Sequence, residues 1–155
     1  MTDFAPRMDA RESRAWLGLI GVAQLLPHLL DAQLERDSRM THFEFTVLSA
    51  LYVAPDSMLR MSELAQTTAA TLPRLSHVCT RMEKRELVER VPSESDRRAT
   101  NVRLTAVGRR EFIRAIPAHI DLVRSLVIDA LTVEQLDSLG EIAEAIGDRL
   151  AARRG

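Results

Sequence analysis

The sequence predicts a mainly α protein with a small β-hairpin past its middle. Three observations carry that prediction. Apolar residues recur at three- and four-residue steps over most of the chain, helix-capping pairs punctuate those stretches, and only residues 87–105 break into short alternating runs.

At 155 residues the chain suits one domain with its own core. Hydrophobic residues at 46% and charged residues at 28% mark it as globular rather than disordered. From about Glu12 to Arg36, Trp16, Leu19, Ile20, Ala23, Leu26, Leu30 and Leu34 form one apolar stripe of a helix. Pro27 lies inside it and crowds the carbonyl of Ala23, so a bend is expected there. Thr41 and Glu44 then have capping-box spacing, and Phe43, Val47, Leu48 and Leu51 form the inner face of the helix they start. The "APDS" around Pro55 ends it.

Two helices follow in quick succession. Ser62 is the expected cap of a short one reaching about Thr67, and Thr71 the cap of a longer one that tolerates Pro73 in its first turn. Leu72, Leu75, Val78, Cys79 and Met82 make the second helix's inner stripe, which sets Arg74, His77, Arg81 and Arg85 along another face. "LVERV" and "NVRLT" read as β-runs joined by the polar "PSESDRRAT". Thr105 caps a further helix with Val107, Ile113, Ile116, Ile120, Val123 and Val127 as its stripe and Pro117 as a second bend. Thr132 and Gln135 open the last, through Leu136, Leu139, Ile142, Ile146 and Leu150.

Charge is unevenly spread. Residues 60–110 hold eleven Lys+Arg against six Asp+Glu, a net +5, while the remainder holds ten against sixteen, a net −6. A tight turn between two helices is the helix-turn-helix plan, whose second helix enters the major groove of DNA. A basic hairpin directly after it suits a wing that reaches the narrower minor groove with an arginine. Taken alone, the basic stripe reads as a solvated face that Glu83, Glu86 and Glu89 could pair; its place between turn and hairpin favours DNA.

The ordered set "MSELA", "LSHVCTRMEKRELVER" and "SDRRATNVRLTAVG" resembles the MarR family of bacterial winged helix-turn-helix transcriptional regulators. The likeness spans essentially the whole chain, and the wing motif is its most specific part. Asp96 and Arg98 match the family's DxR positions, Leu104, Thr105 and Gly108 its LTxxG positions, and Leu87, Val88 and Arg90 the turn into the wing. Glu86 departs from the glycine often found between recognition helix and wing.

The resemblance implies a homodimer in which residues 12–36 and 106–153 supply dimerisation helices and residues 41–105 a winged-helix DNA-binding lobe, all within one domain. It implies Arg74, Ser76, His77, Thr80, Arg81 and Arg85 at the major groove and nearby phosphates. Arg97 and Arg98 are assigned to the wing, with Asp96 shaping its tip. The function implied is a ligand-responsive repressor on a pseudo-palindromic operator, with a small aromatic or phenolic effector. His28, Met40, His42, Met58 and Met61 are the candidate effector pocket, although methionines at such spots also serve as core filler.

The alternative is a helical protein–protein module, an anti-activator that kept the fold and lost DNA binding. An enzyme is not expected, since no nucleophile with a spaced base and no phosphate-binding glycine loop is present. His28, His42, His77 and His119 match no zinc spacing, so no metal or cofactor is expected, and Cys79 reads as a buried hydrophobe rather than a redox sensor. No apolar run is expected to reach the roughly 18 residues of a membrane span, and the first residues lack a signal-peptide layout. A cytoplasmic location is expected.

Overall fold

The computed structural model describes residues 7–93, 96 and 98–153. Among these residues, six helices and three strands follow in order: α1 Ala10–Ser38, α2 His42–Val53, β1 Met58–Arg60, α3 Met61–Thr67, α4 Leu72–Lys84, β2 Val88–Pro92, β3 Thr100–Leu104, α5 Ala106–Leu126 and α6 Val133–Ala151. Single 3₁₀ turns cover Pro55–Ser57 and Ile128–Ala130. The chain forms two compact units divided after Pro117.

In the first unit the caps explain where the helices begin. Asp9 and Glu12 form a capping box on α1, and Thr41 and Glu44 form the expected one on α2. At α3 the expectation fails: Ser62 lies inside the helix, and it is the Glu63 carboxylate that receives the Arg60 backbone N–H at 3.2 Å. Thr71 caps α4 as expected, its hydroxyl accepting the Arg74 N–H at 3.4 Å. α1 continues through Pro27, and α5 through Pro117.

The core is continuous across the elements of this unit. Leu34, Val47, Leu48, Leu51, Leu64, Leu75, Cys79, Met82 and Val102 are fully buried. Burying a leucine stabilises by about 1.5–3 kcal/mol before entropy is counted. Leu72 departs from its expected inner position: it is the first residue of α4 and half exposed, so burial on this helix starts at Leu75. On α5, Gly108, Phe112, Ala115 and His119 are buried, Val107 and Ile116 of the expected stripe pack half-buried on the core, and Ile113 and Ile120 are exposed. The expected stripe thus borders the core while the centre of the buried face lies about one residue away, where Gly108 meets the Leu87 backbone without a hydrophobic signature. Phe112 packs at 5.0 Å from the Phe45 ring and 5.1 Å from Tyr52, tying α5 to α2.

The strands form one antiparallel sheet in the order β1-β3-β2. Val102 of β3 stands between Leu59 and Arg90, and Leu104 opposite Val88. Val102 and Leu104 are buried while Arg103 is exposed, as the alternation predicts. The third strand, β1, has only three residues, too few for a period-two signal.

Two long faces carry apolar side chains without cover in the single chain. On α1, Trp16, Leu17, Leu19, Val22, Leu25 and Leu29 are all more than 40% exposed. Among the described residues α1 is the one helix long and apolar enough to cross a membrane, by length and composition only. This corrects the sequence expectation of no such run, because the polar Gln24 and His28 leave the mean hydropathy of the helix high. In the second unit no residue of α6 is buried, and Leu139, Ile142 and Leu150 are exposed.

Candidate nucleic-acid interface

The site is built around α4 by the turn before it and the sheet after it. Ala69 takes a left-handed backbone (φ 52°), and the Ala70 N–H returns to the Ala65 carbonyl at 2.9 Å. This reverses the chain within a few residues and buries Leu64 and Ala65 in the same core as Leu75 and Cys79. The opposite face of α4 is left outward, with Arg74, His77, Thr80, Arg81 and Arg85 exposed and Ser76 half-buried.

Two sets of interactions flank that face. Toward α2, the Arg74 guanidinium stacks 4.3 Å from the Phe43 ring centre. Arg81 and Arg85 both donate to the buried carboxylate of Glu44, at 2.9 and 3.2 Å. Toward the sheet, Arg90 of β2 pairs with Glu83 and donates to the Ser76 carbonyl at 2.8 Å. The same guanidinium lies 3.2 Å from the hydroxyls of Ser76 and Thr80. The Thr80 hydroxyl also donates to the Ser76 carbonyl at 3.0 Å. Arg90, read from the sequence only as part of the turn into the wing, therefore clamps strand to helix. Its Glu83 partner lies seven residues earlier, across an intervening turn that no periodicity encodes.

The join between α4 and β2 tolerates the missing glycine. Glu86 adopts a left-handed conformation (φ 58°), and the Leu87 N–H closes on the Met82 carbonyl at 3.0 Å. A side chain at such a position costs about 1 kcal/mol, so the cap survives with strain. Past the wing, Gly108 faces the Leu87 backbone so closely that a Cβ there would lie 1.9 Å from the Leu87 oxygen. The motif's glycine is required by close packing rather than by backbone freedom.

At the wing tip the Asp96 carboxylate accepts the Arg98 N–H at 2.9 Å, and the Ala99 N–H returns to the Asp96 carbonyl at 2.9 Å. This is a local Asx-type turn. The Arg98 side chain is exposed. Arg97 lies outside the described residues.

A cavity of about 660 Å³ opens between α1, α2 and the outer face of α4. Pro27, His28 and Asp31 line it from α1, His42 and Phe43 from α2, and Arg74, His77 and Arg81 from α4. Of the candidate pocket residues, His28 and His42 are brought together here. Met40 is buried in the core at 1% exposure, Met58 lies in β1 beside a smaller recess, and Met61 packs on the core from α3. The Asp31 carboxylate accepts the His42 backbone N–H at 2.6 Å. Burial pulls the His42 imidazole below its usual range, while the Asp31 charge pulls it the other way. Burial raises the Cys79 thiol to about 11, against a weaker opposing pull from Arg90.

The family model for the MarR family matches residues 38–99. Comparison with curated proteins gives no significant match. Among solved structures, the chain is similar to Sco3205 in complex with DNA, a MarR family transcriptional regulator from Streptomyces coelicolor. The two are 40% identical over 92% of this chain and 93% of that one, with a TM-score of 0.90. AbsC, another such regulator from the same organism, is 33% identical over 96% of this chain and 99% of that one, with a TM-score of 0.90. A mutant MarR from E. coli complexed with operator DNA shares the fold, at 24% identity over 90% of this chain and 99% of that one and a TM-score of 0.75. A wing set against a cationic helix, together with identity that extends over nearly the whole of such a regulator, makes this chain a member of the MarR family of DNA-binding transcriptional regulators.

Proposed function

We propose that the protein is a ligand-responsive homodimeric repressor that binds a pseudo-palindromic operator. The observation that carries this reading is the joint exposure of the cationic face of α4, whose other face is buried in the core, and of Arg98 at the wing tip. Arg74, Ser76, His77, Thr80, Arg81 and Arg85 are assigned to the major groove and adjacent phosphates. Arg97 and Arg98 are assigned to the minor groove, whose width of about 6 Å admits an arginine side chain. Sco3205, at 40% identity, was solved with DNA bound, which supports the assignment.

The uncovered apolar faces of α1 and α6 support a homodimer, since large exposed apolar patches mark interaction surfaces. Residues 12–36 and 106–153 are the dimerisation helices in this reading, and residues 41–105 the DNA-binding lobe. Two copies then present recognition helices to major grooves about 34 Å apart. The effector is a small aromatic or phenolic compound in the cavity lined by His28 and His42, acting only through different affinities for two arrangements of the dimer. Such a regulator works beside the chromosome, in the cytoplasm, and performs no catalysis.

A mobility shift on duplexes selected from randomised DNA tests the reading. Arg98→Ala is expected to weaken binding and reduce the salt slope by about 1. Unchanged affinity and slope remove Arg98 from the interface. Failure of the unmodified protein to hold any duplex, with no salt-sensitive retention on heparin, leaves the protein–protein module as the better account.

A further inference from the structure

We propose that Glu44 is a positioning residue for DNA binding, its buried carboxylate tying Arg81 and Arg85 into one preorganised phosphate clamp. The inference rests on the DNA-contact assignment above and adds a residue that touches no DNA itself.

Glu44 sits at the third position of α2, with a side chain only 3% exposed. One of its oxygens, Oε2, accepts the Thr41 N–H at 2.9 Å, which fixes the carboxylate to the start of its own helix. Oε1 then receives Arg81 Nη2 at 2.9 Å, and Oε2 also receives Arg85 Nη1 at 3.2 Å. Arg81 stands in the last turn of α4 and Arg85 at its C-cap, one turn on, and they remain 47% and 38% exposed. Each guanidinium carries five N–H donors in a rigid fork, so holding one edge on Glu44 leaves the others aimed outward. Without the carboxylate, two long cations at this spacing repel and sample many rotamers. With it, a net charge of +1 is held in one geometry on the face assigned to phosphate.

The sign of one substitution separates this from a charge effect. Glu44→Gln removes a negative charge from beneath a cationic face, so charge counting alone predicts tighter DNA binding. Loss of the clamp predicts the reverse. The full-length protein is titrated onto a labelled duplex selected by the unmodified protein, over a series of salt concentrations. Glu44→Gln is expected to bind about tenfold more weakly, as ordering two long side chains on binding would require. Its salt slope stays unchanged, because both arginines keep their charge. In a background of Arg81→Ala with Arg85→Ala, the same substitution is expected to cause no further loss.

Equal or tighter binding by Glu44→Gln overturns the proposal, and so does a tenfold loss that persists without the two arginines. Should Glu44→Gln fail to fold, Arg81→Lys and Arg85→Lys decide. A point charge cannot grip carboxylate and phosphate at once as a fork does, so each is expected to lose affinity severalfold at unchanged slope, and full retention overturns the clamp. If no duplex is selected at all, the DNA assignment falls and the clamp with it. If Arg81→Ala weakens binding while Glu44→Gln does not, the clamp alone falls.

Discussion

Replacing Gly108 with alanine adds one methyl group where the backbone leaves no room. The new Cβ would stand 1.9 Å from the Leu87 oxygen, 2.8 Å from its carbonyl carbon and 2.9 Å from Leu104 Cδ1. Carbon and carbonyl oxygen rest at about 3.3 Å, so the methyl intrudes by more than 1 Å. The carbonyl cannot swing aside freely, because it accepts the Thr105 N–H at 3.2 Å and lies 3.1 Å from the Thr105 hydroxyl. That hydroxyl in turn caps α5 by accepting the Gly108 N–H at 2.9 Å. Relief requires the first turn of α5 to lift from the entrance of β2, loosening the cap as it goes. Overpacking costs about 1–3 kcal/mol and a lost cap about 1 kcal/mol, while the helix gains about 1 kcal/mol from alanine over glycine. The net is a loss of about 1–3 kcal/mol, which for a chain of this size lowers the melting temperature by roughly 2–12 °C. Thermal unfolding followed by circular dichroism at fixed protein concentration measures it. A melting temperature equal to or above the parent's, as helix propensity alone predicts, refutes the packing argument.

The Cys79 thiol ionises near 9.0 when unperturbed and near 11 when buried. The folded state therefore holds its proton more tightly, and this contribution to stability is full below pH 9 and lost as pH rises toward 11. Relative to Cys79→Ala, the parent is expected to lose about 2–3 kcal/mol across that window, and parallel unfolding curves would contradict the assigned burial. Thiol reagents at neutral pH are expected to label Cys79 only after unfolding. Val22 and Leu25 of α1 are each 60% exposed in the single chain. In the proposed homodimer, Val22→Glu with Leu25→Glu is expected to halve the mass seen by sedimentation, and an unchanged mass would remove this face of α1 from the proposed contact.

The contrast between α2 and α5 indicates what kind of information a sequence carries. Thr41 and Glu44 are three residues apart, so their reciprocal hydrogen bonds follow from helix geometry and are legible in the spacing alone. The second role of Glu44 depends on Arg81 and Arg85, 37 and 41 residues away, and no local rule points to them. The same holds for Arg90, whose partners Glu83 and Ser76 become neighbours only when β2 folds back on α4. The buried stripe of α5 departs from its hydrophobic periodicity for a related reason. A contact with the Leu87 backbone selects the face that turns inward, and the residue making it is a glycine without a hydrophobic signature.

The candidate site divides along the same line. The cationic face of α4 is written in short-range spacing, and Asp96 is marked only by the motif that carries the family resemblance. The cavity is not: His28 and His42 come from different helices, and the methionines read alongside them lie in the core, in β1 and at the start of α3.

By itself, then, the sequence determined the helices, the caps of α2, α4 and α6, the hairpin and the cationic residues between them, because all of these depend on periodicity and hydrogen bonds that span a few residues. Only the tertiary structure decided which charges are held by carboxylates, which face of α5 is buried and which side chains line a common cavity. Those outcomes depend on distances between segments far apart in the chain, and such distances are fixed by packing rather than by spacing.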